Sequence, residues 1–301
     1  MTDPDSRPSA GEKTNGQYRD GYFTCSDGLK LHFRDYDGPA GAVPLLCLPG
    51  LTRNVRDFAD FAVRMAPRHR VIAFEFRGRG ESAFDPNPKR YLPPTYARDT
   101  IELLDHLGIA KAVFVGTSLG GIVAMMVAVM AGDRIAGSIL NDVGPELSDT
   151  GLDRIRDYVG SGKSFATWAE AGEAVADNQS RLPAAWGPDE WQAMARRVCR
   201  TSDDGAIRFD YDPAIAEPFR IASGKSDFDM WPLFDALAER PLLVLRGEHS
   251  ELFTSSALDA IKQRNPAIET AIVAGAGHAP ELDEPEAIAA IDRFLTALEA
   301  S

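Results

Sequence analysis

Cysteine and histidine are both scarce in this sequence. Only three cysteines occur among 301 residues, at Cys25, Cys47 and Cys199, and no two of them are spaced as Cys-x-x-Cys. An odd number of isolated cysteines gives no basis for a disulfide framework or a zinc site. We therefore expect neither a metal ion nor a cofactor. The five histidines leave few candidates for acid–base chemistry.

Long apolar runs are also missing. No stretch reaches the roughly 20 residues that a membrane-spanning helix needs. The N-terminal segment is polar and lacks the apolar core of a signal peptide. Residues 1–17 are predicted to form a disordered tail. Together these features predict a cytoplasmic protein with no membrane partner.

Basic residues are outnumbered by acidic ones. The chain has 32 Lys and Arg against 45 Asp and Glu, which gives a formal net charge of -13. Because an acidic surface repels phosphate backbones, we do not expect nucleic acid as a partner. A small-molecule substrate is the expected partner. The composition indicates no particular oligomeric state.

What the chain does contain is a series of continuous apolar runs separated by helical patterns. Such runs, in place of alternating ones, are typical of parallel strands buried on both faces. A hairpin with an Asp27-Gly28 turn precedes them. The predicted fold is therefore a doubly wound α/β fold with a mostly parallel eight-stranded sheet. The runs are Val43 to Gly50, His69 to Gly80, Lys111 to Thr117, Ile135 to Asp142, Arg240 to Gly247 and Ile268 to Gly277.

The strand–helix alternation breaks between residues 144 and 236. We interpret this stretch as an inserted helical cap, or lid, on a core formed by residues 18–143 and 237–301. The stretch holds all four tryptophans of the chain. Its aromatic side chains either line an apolar substrate pocket or pack the cap onto the core. The candidates for substrate binding are Trp168, Trp186, Trp191, Phe219 and Trp231.

One serine stands at the junction of a predicted strand and a predicted helix. The segment Gly116-Thr-Ser118-Leu-Gly120 matches Gly-x-Ser-x-Gly, the nucleophile elbow, in which a strained turn exposes the serine hydroxyl. The helix that follows points its free amides at the same place, so the amide of Leu119 is a candidate oxyanion donor. The structural alternative is a tight turn that only needs small residues.

A serine nucleophile needs a base, which is normally oriented by a third group. His278 follows the last predicted strand, and the carboxyl ends of parallel strands are where open α/β sheets place their chemistry. The acid is expected in the loop after the strand that precedes it. That loop offers Glu248 and Glu251, which spacing alone does not separate.

Six segments together carry a family resemblance. They read LCLPGLTRNVRDF, FEFRGRGES, VGTSLGG, LNDVGP, LLVLRGEHSEL and GAGHAPELDEP. From Gly21 to Leu298 the chain resembles the α/β-hydrolase fold superfamily, in the branch of small bacterial lid-bearing serine hydrolases. The order of Ser118, an acid and His278 is that of the family. The resemblance also implies that LPGLT is an oxyanion loop, with the amide of Leu51 facing that of Leu119.

The resemblance leaves the acid open. Relatives usually carry Asp where this chain has Glu251, so Glu251 is the preferred acid, followed by Glu248. Asp142 is the third candidate because some relatives place the acid at the end of that strand. Arg53, beside the expected catalytic mouth, either binds a substrate carboxylate or pairs with a surface acid.

The resulting expectation is a serine hydrolase that needs no metal and cleaves small carboxylic esters or lactones through an acyl-enzyme. The same triad hydrolyses amides and the carbon–carbon bonds of diketones in relatives, so that alternative stays open. A different class is a ligand-binding receptor built on the same fold. Fold alone does not separate these functions.

Overall fold

The computed structural model describes residues 13–14, 18–178, 186–218 and 228–300. Within them twelve strands form two sheets. In chain order the strands are β1 (Lys13–Thr14), β2 (Tyr18–Thr24), β3 (Lys30–Tyr36), β4 (Leu45–Leu48), β5 (Val71–Glu75), β6 (Ala112–Thr117), β7 (Ile135–Asn141), β8 (Ser164–Phe165), β9 (Cys199–Thr201), β10 (Ile207–Phe209), β11 (Leu242–Gly247) and β12 (Glu269–Val273).

In addition to short 3-10 helices, nine α-helices of seven or more residues accompany these strands in the described residues. They are α1 (Ala59–Met65), α2 (Pro93–His106), α3 (Leu119–Ala131), α4 (Asp149–Tyr158), α5 (Trp168–Asn178), α6 (Pro188–Val198), α7 (Trp231–Ala238), α8 (Ser255–Arg264) and α9 (Pro285–Glu299).

The large sheet has the order β1-β2-β3-β5-β4-β6-β7-β11-β12. Strands β4 to β7, β11 and β12 run parallel, whereas β1, β2 and β3 pair antiparallel at one edge. The predicted doubly wound fold is confirmed. The eight predicted strands are present, and β1 is an additional short one. It lies in the segment predicted as a disordered tail, the rest of which is outside the described residues.

Both faces of the sheet are buried, as the continuous apolar runs predict. Side chains of a strand alternate between two separate apolar cores. Along β4, for example, Leu46 and Leu48 enter one core while Leu45 and Cys47 enter the other. Helices α2, α3, α7 and α8 cover the first face, and α1 and α9 cover the second.

The segment between β7 and α7 has its own small core. Helices α4, α5 and α6 accompany an antiparallel sheet of order β8-β10-β9, and an apolar cluster that includes Trp191 and Met194 holds α5 and α6 together. The predicted helical insertion thus also contains a small sheet that the sequence pattern did not predict. Strands of two or three residues are too short to show a period-two pattern. We call this segment, residues 144–230 as far as they are described, the insertion.

Helix α7 starts inside the stretch that the sequence assigns to the cap. Phe234 and Leu237 of this helix are buried in the first core, against α3. We therefore place α7 with the core. In the described part of the chain, no helix combines the length and the apolar character needed to cross a membrane.

A buried histidine of β3 lies between a carboxylate of β2 and a carboxylate of β5. His32 Nδ1 lies 2.7 Å from Glu75 Oε2, and Nε2 lies 2.9 Å from Asp20 Oδ1. Burial lowers the pKa of His32, but the hydrogen bonds and charges of Glu75 and Asp20 outweigh it and raise the pKa above its ordinary 6.5. The folded protein therefore favours the protonated imidazole.

This pKa shift predicts a pH dependence of stability. Because the folded-state pKa is raised, the stabilisation by His32 is fully present below about pH 6.5 and is lost as pH rises through the folded-state pKa. The difference in free energy of unfolding between wild type and His32→Gln should be larger at pH 6 than at pH 9, as measured by urea denaturation. A difference that stays constant over this range would contradict the shift.

Candidate active site

Ser118 occupies a strained turn between β6 and α3. Its φ of 52° and ψ of -114° lie in a region that non-glycine residues rarely adopt. The turn also demands small neighbours. A Cβ added to Gly120 would lie 2.0 Å from the carbonyl oxygen of Leu48, and one on Gly116 would meet the main chain of Gly120 at 2.6 Å. The local geometry is therefore that of the predicted elbow.

His278 lies in the loop after β12 and reaches the serine. Its Nε2 is 3.0 Å from Ser118 Oγ, and its Nδ1 is 2.6 Å from Asp142 Oδ2. The structure thus joins a hydroxyl, an imidazole and a carboxylate in one hydrogen-bonded chain, although the three residues are far apart in sequence. This is the spacing at which a base can take a proton from a nucleophile.

Asp142 is fully buried at the carboxyl end of β7, and its carboxylate is well supplied with donors. Oδ1 accepts from the amide of Gly247 at 2.8 Å, and Oδ2 accepts from the hydroxyl of Ser250 at 2.6 Å. A buried carboxylate is costly unless such partners are present. These donors fix the carboxylate in the orientation that faces His278.

The structure does not place Glu251, the preferred acid, at His278; Asp142, the third candidate, lies there instead. The carboxylate of Glu251 is partly exposed and lies 3.6 Å from Arg154. Glu248 is exposed and accepts from the amide of Gly275. Neither glutamate contacts His278. The physical reason is that β7 and β11 are adjacent strands, so the ends of both approach the same imidazole.

The sequence reasoning missed Ser250 as a member of this site. It sits in the loop expected to carry the acid, but supplies a hydroxyl to the carboxylate of Asp142. One signal for Asp142 was available. The polar pair Asn141-Asp142 ends a mostly apolar buried strand, and a charged residue without solvent needs a dedicated partner.

The loop predicted to form the oxyanion site lies next to the serine. A Cβ on Gly50 would be 3.9 Å from Ser118 Cβ. The carbonyl of Gly50 accepts from the amide of Arg53 at 3.2 Å, and that of Leu51 accepts from Arg79 Nε at 2.9 Å. On the other side, Leu119 is the first residue of α3, so its N–H has no acceptor within the helix.

A cavity of about 510 Å³ opens beside Ser118 and His278. It lies between the core and the insertion, and one of its walls is apolar. Trp191 in this wall is buried and packs against Trp186 with ring centroids 4.6 Å apart. Further apolar lining residues that the insertion contributes are Ile155, Val175, Met194, Val198 and Phe209.

The other aromatic residues predicted to bind substrate are not part of the cavity lining among the described residues. Trp168 lies under the guanidinium of Arg196, 4.4 Å from its ring centroid. The indole N–H of Trp231 donates to Glu146 at 3.0 Å. Neither tryptophan lines the cavity. Phe219 lies outside the described residues.

A second wall of the cavity carries ion pairs. Arg53 donates through Nε and Nη2 to Asp57, at 2.5 and 3.0 Å, and Arg197 Nη1 lies 2.7 Å from Glu281 Oε2. Of the two predicted roles for Arg53, the structure shows pairing with an acid, but inside the cavity wall. Burial raises the pKa of Glu281 to about 7, although the charge of Arg53 opposes the shift. Among the described residues, no group of three or more His, Cys, Asp or Glu side chains is placed to hold a metal ion.

Comparison with known proteins gives consistent results. A model of the alpha/beta hydrolase family matches residues 45–291. A solved structure of an alpha/beta hydrolase from Novosphingobium aromaticivorans is 48% identical, with a TM-score of 0.88 over 93% of this chain and 98% of that one.

Two relatives in sequence carry names for particular reactions. A 3-hydroxybutyrate-oligomer hydrolase of Cupriavidus necator is 31% identical over 288 residues, which cover 92% of this chain and 97% of the relative. A 2-(acetamidomethylene)succinate hydrolase of Mesorhizobium japonicum is 28% identical over 260 residues, 85% of this chain and 90% of the relative.

Proposed function

This chain belongs to the alpha/beta hydrolase family and is a hydrolase, and from that premise we propose that it cleaves carboxylic esters or lactones through an acyl-enzyme. The observation that carries the proposal is the hydrogen-bonded chain from Ser118 through His278 to Asp142. We further propose that the insertion is a cap over the cavity in which the substrate binds.

The proposed reaction proceeds by proton transfers along the hydrogen-bonded series Ser118, His278 and Asp142. His278 Nε2 takes the proton of Ser118 as Oγ attacks the acyl carbonyl, and returns it to the leaving alcohol. Water, deprotonated by the same nitrogen, then releases the acid. Asp142 holds the Nδ1–H tautomer and stabilises the imidazolium that forms in each step.

Two main-chain amides, of Leu51 and Leu119, are the proposed oxyanion donors. Gly50 lies against the serine, and α3 begins at Leu119 with its positive dipole end at the reacting carbonyl. Donors that are held in place before the reaction need no reorganisation when charge develops on the oxygen. Loss of one such donor typically costs about 10²–10³ in rate.

The cavity supports a small ester that carries additional oxygen atoms. Its volume of about 510 Å³ suits a small ligand. One wall, with Trp186 and Trp191, is apolar, whereas the wall of Arg53 and Arg197 can donate to oxygen. Because a relative that matches along nearly its whole length is named as a hydrolase of 3-hydroxybutyrate oligomers, oligoesters of hydroxy acids are the first substrates to test. An amide is the second candidate, since another relative is named for hydrolysis of an acetamidomethylene compound.

The acyl-enzyme makes a specific kinetic prediction. Mixing the protein with p-nitrophenyl butyrate should release a burst of p-nitrophenol equal to the concentration of active sites, because acylation of Ser118 releases the phenol before water releases the acid. Stopped-flow absorbance measures the burst, and intact-protein mass spectrometry detects the added butyryl group. The burst requires that deacylation is slower than acylation.

Ser118→Ala is the matched control, since it removes only the hydroxyl. It should show neither burst nor adduct. A wild-type protein that binds esters stoichiometrically, but gives neither turnover nor adduct with esters, lactones or amides, would contradict the proposal and favour the ligand-binding receptor.

The assignment of the acid is tested separately. Asp142→Asn keeps the size of the side chain but removes the charge that holds the imidazole tautomer, so kcat should fall on the order of 10⁴-fold. Glu248→Gln should leave kcat unchanged, and Glu251→Gln should change it only several-fold. If Glu251→Gln were the crippled variant and Asp142→Asn were active, the assignment would be wrong.

The raised pKa of Glu281 predicts that the preference of the protein for neutral over anionic esters depends on pH. Above about pH 7 this carboxyl is ionised and adds a negative charge to the cavity wall. Between pH 6 and 8 the KM for monomethyl succinate, an anion, should therefore rise several-fold relative to the KM for neutral dimethyl succinate. Using the ratio of the two KM values removes any pH effect that both esters share.

Two variants control this prediction. Glu281→Gln should make the KM ratio independent of pH. Glu248→Gln removes a carboxylate that does not line the cavity and should leave the change of the KM ratio with pH as in the wild type. If the KM ratio still changed with pH in Glu281→Gln, the effect would belong to another group.

A further inference from the structure

A fully buried arginine stands behind the oxyanion loop without a carboxylate partner. Arg79 lies in the turn after β5 and is 0% exposed. Its paired donors go to uncharged groups: Nε to the carbonyl of Leu51 at 2.9 Å, and Nη1 to the carbonyl of Arg77 at 2.6 Å and the hydroxyl of Tyr96 at 3.0 Å. Nη2 has no acceptor among the described residues. The ring of Tyr96 also lies 4.9 Å from the guanidinium carbon. Within the described residues no Asp or Glu forms an ion pair with it.

Arg77, two residues earlier in the same turn, shows the contrast. It is equally buried, but its guanidinium meets three carboxylates, those of Asp27, Asp85 and Asp99, at 2.9, 2.5 and 2.6 Å. Its charge is therefore neutralised and its role is structural. Burying a cation without a counter-charge is unfavourable, so Arg79 calls for an explanation other than stability.

The position of Arg79 supplies that explanation. The carbonyl of Leu51 belongs to the peptide directly after the amide proposed as an oxyanion donor. The carbonyl of Gly50, on the other side of that amide, accepts from the amide of Arg53. Hydrogen bonds thus hold the main chain on both sides of the Leu51 amide. Of the two, only the bond from Arg79 comes from a charged side chain.

The main chain around Arg79 also holds the insertion. Arg79 forms a β-bridge with Tyr211. The amide of Gly80 donates to the carbonyl of Asp210 at 3.0 Å, and the amide of Asp212 donates to the carbonyl of Gly78 at 2.7 Å. One short turn therefore contacts the insertion through its backbone and the oxyanion loop through its side chain.

We propose that Arg79 is a positioning residue that holds the Leu51 amide in place for the oxyanion and links that loop to the insertion. The proposal rests on the proposed function. The side chain touches neither Ser118 nor His278. It acts through the Leu51 peptide, so its removal should impair stabilisation of the transition state more than binding of the ester.

The test compares Arg79→Lys with Arg77→Lys on p-nitrophenyl butyrate. In Arg79→Lys, kcat should fall roughly 10- to 100-fold with KM changed less than about 3-fold, because a misplacement of about 1 Å can cost on the order of 10² in rate. Affinity for an aryl trifluoromethyl ketone, whose adduct with Ser118 carries an oxyanion, should fall by the same factor. Arg77→Lys should lower the melting temperature but keep kcat per folded molecule.

A milder variant decides the matter if Arg79→Lys does not fold. Tyr96→Phe keeps the ring but removes the hydroxyl that accepts from Arg79, and should lower kcat and ketone affinity together by a smaller factor. A folded Arg79→Lys or Tyr96→Phe with wild-type kcat and ketone affinity overturns the inference. A wild type that gives neither turnover nor an acyl adduct with esters, lactones or amides overturns the proposed function instead, so the two failures are distinguishable.

Discussion

The contact between the Asp142 carboxylate and the His278 imidazole is the constraint on which the site depends. A charge placed at a fully buried position is expensive, and only well-aimed donors offset that cost. Gly247 and Ser250 supply them from the neighbouring strand end. The parallel pairing of β7 with β11 therefore creates the place in which this carboxylate is held by donors beside the imidazole, and the imidazole in turn reaches Ser118.

Close approach of backbone to backbone is the second constraint. The strand β4, the elbow and the start of α3 crowd together so that Gly120 has no room for a Cβ beside the carbonyl of Leu48. The same crowding brings Gly50 to Ser118 and so sets two amide-bearing segments around one point. Tight packing in the interior thus defines the site before any substrate is present.

Much of this arrangement is predictable from sequence, for identifiable reasons. Buried parallel strands leave continuous apolar runs, and the elbow leaves glycines around Ser118, so the sheet and the turn can be read locally. The acid of the triad cannot be identified in this way. Glu251 and Asp142 follow two adjacent strands, and the spacing along the chain does not indicate which of the two side chains points to His278. The roles of Trp168 and Trp191 are equally hidden, since an amphipathic helix does not reveal whether its aromatic face meets a cavity or a neighbouring arginine.

The ion pairs of Arg53 and Arg197 in the cavity wall limit which substrates can bind, and local sequence patterns do not reveal these pairs. Arg53 is already engaged by Asp57, and Arg197 by Glu281, so a substrate carboxylate would have to displace a protein carboxylate to bind either guanidinium. Breaking a partly buried pair leaves one charge without a partner, which is strongly unfavourable. A carbonyl or hydroxyl oxygen can instead accept from a guanidinium that keeps its carboxylate partner. For the proposed ester, the paired wall thus favours uncharged oxygen atoms, and Trp186 and Trp191 in the apolar part of the lining are the proposed contacts of its carbon chain.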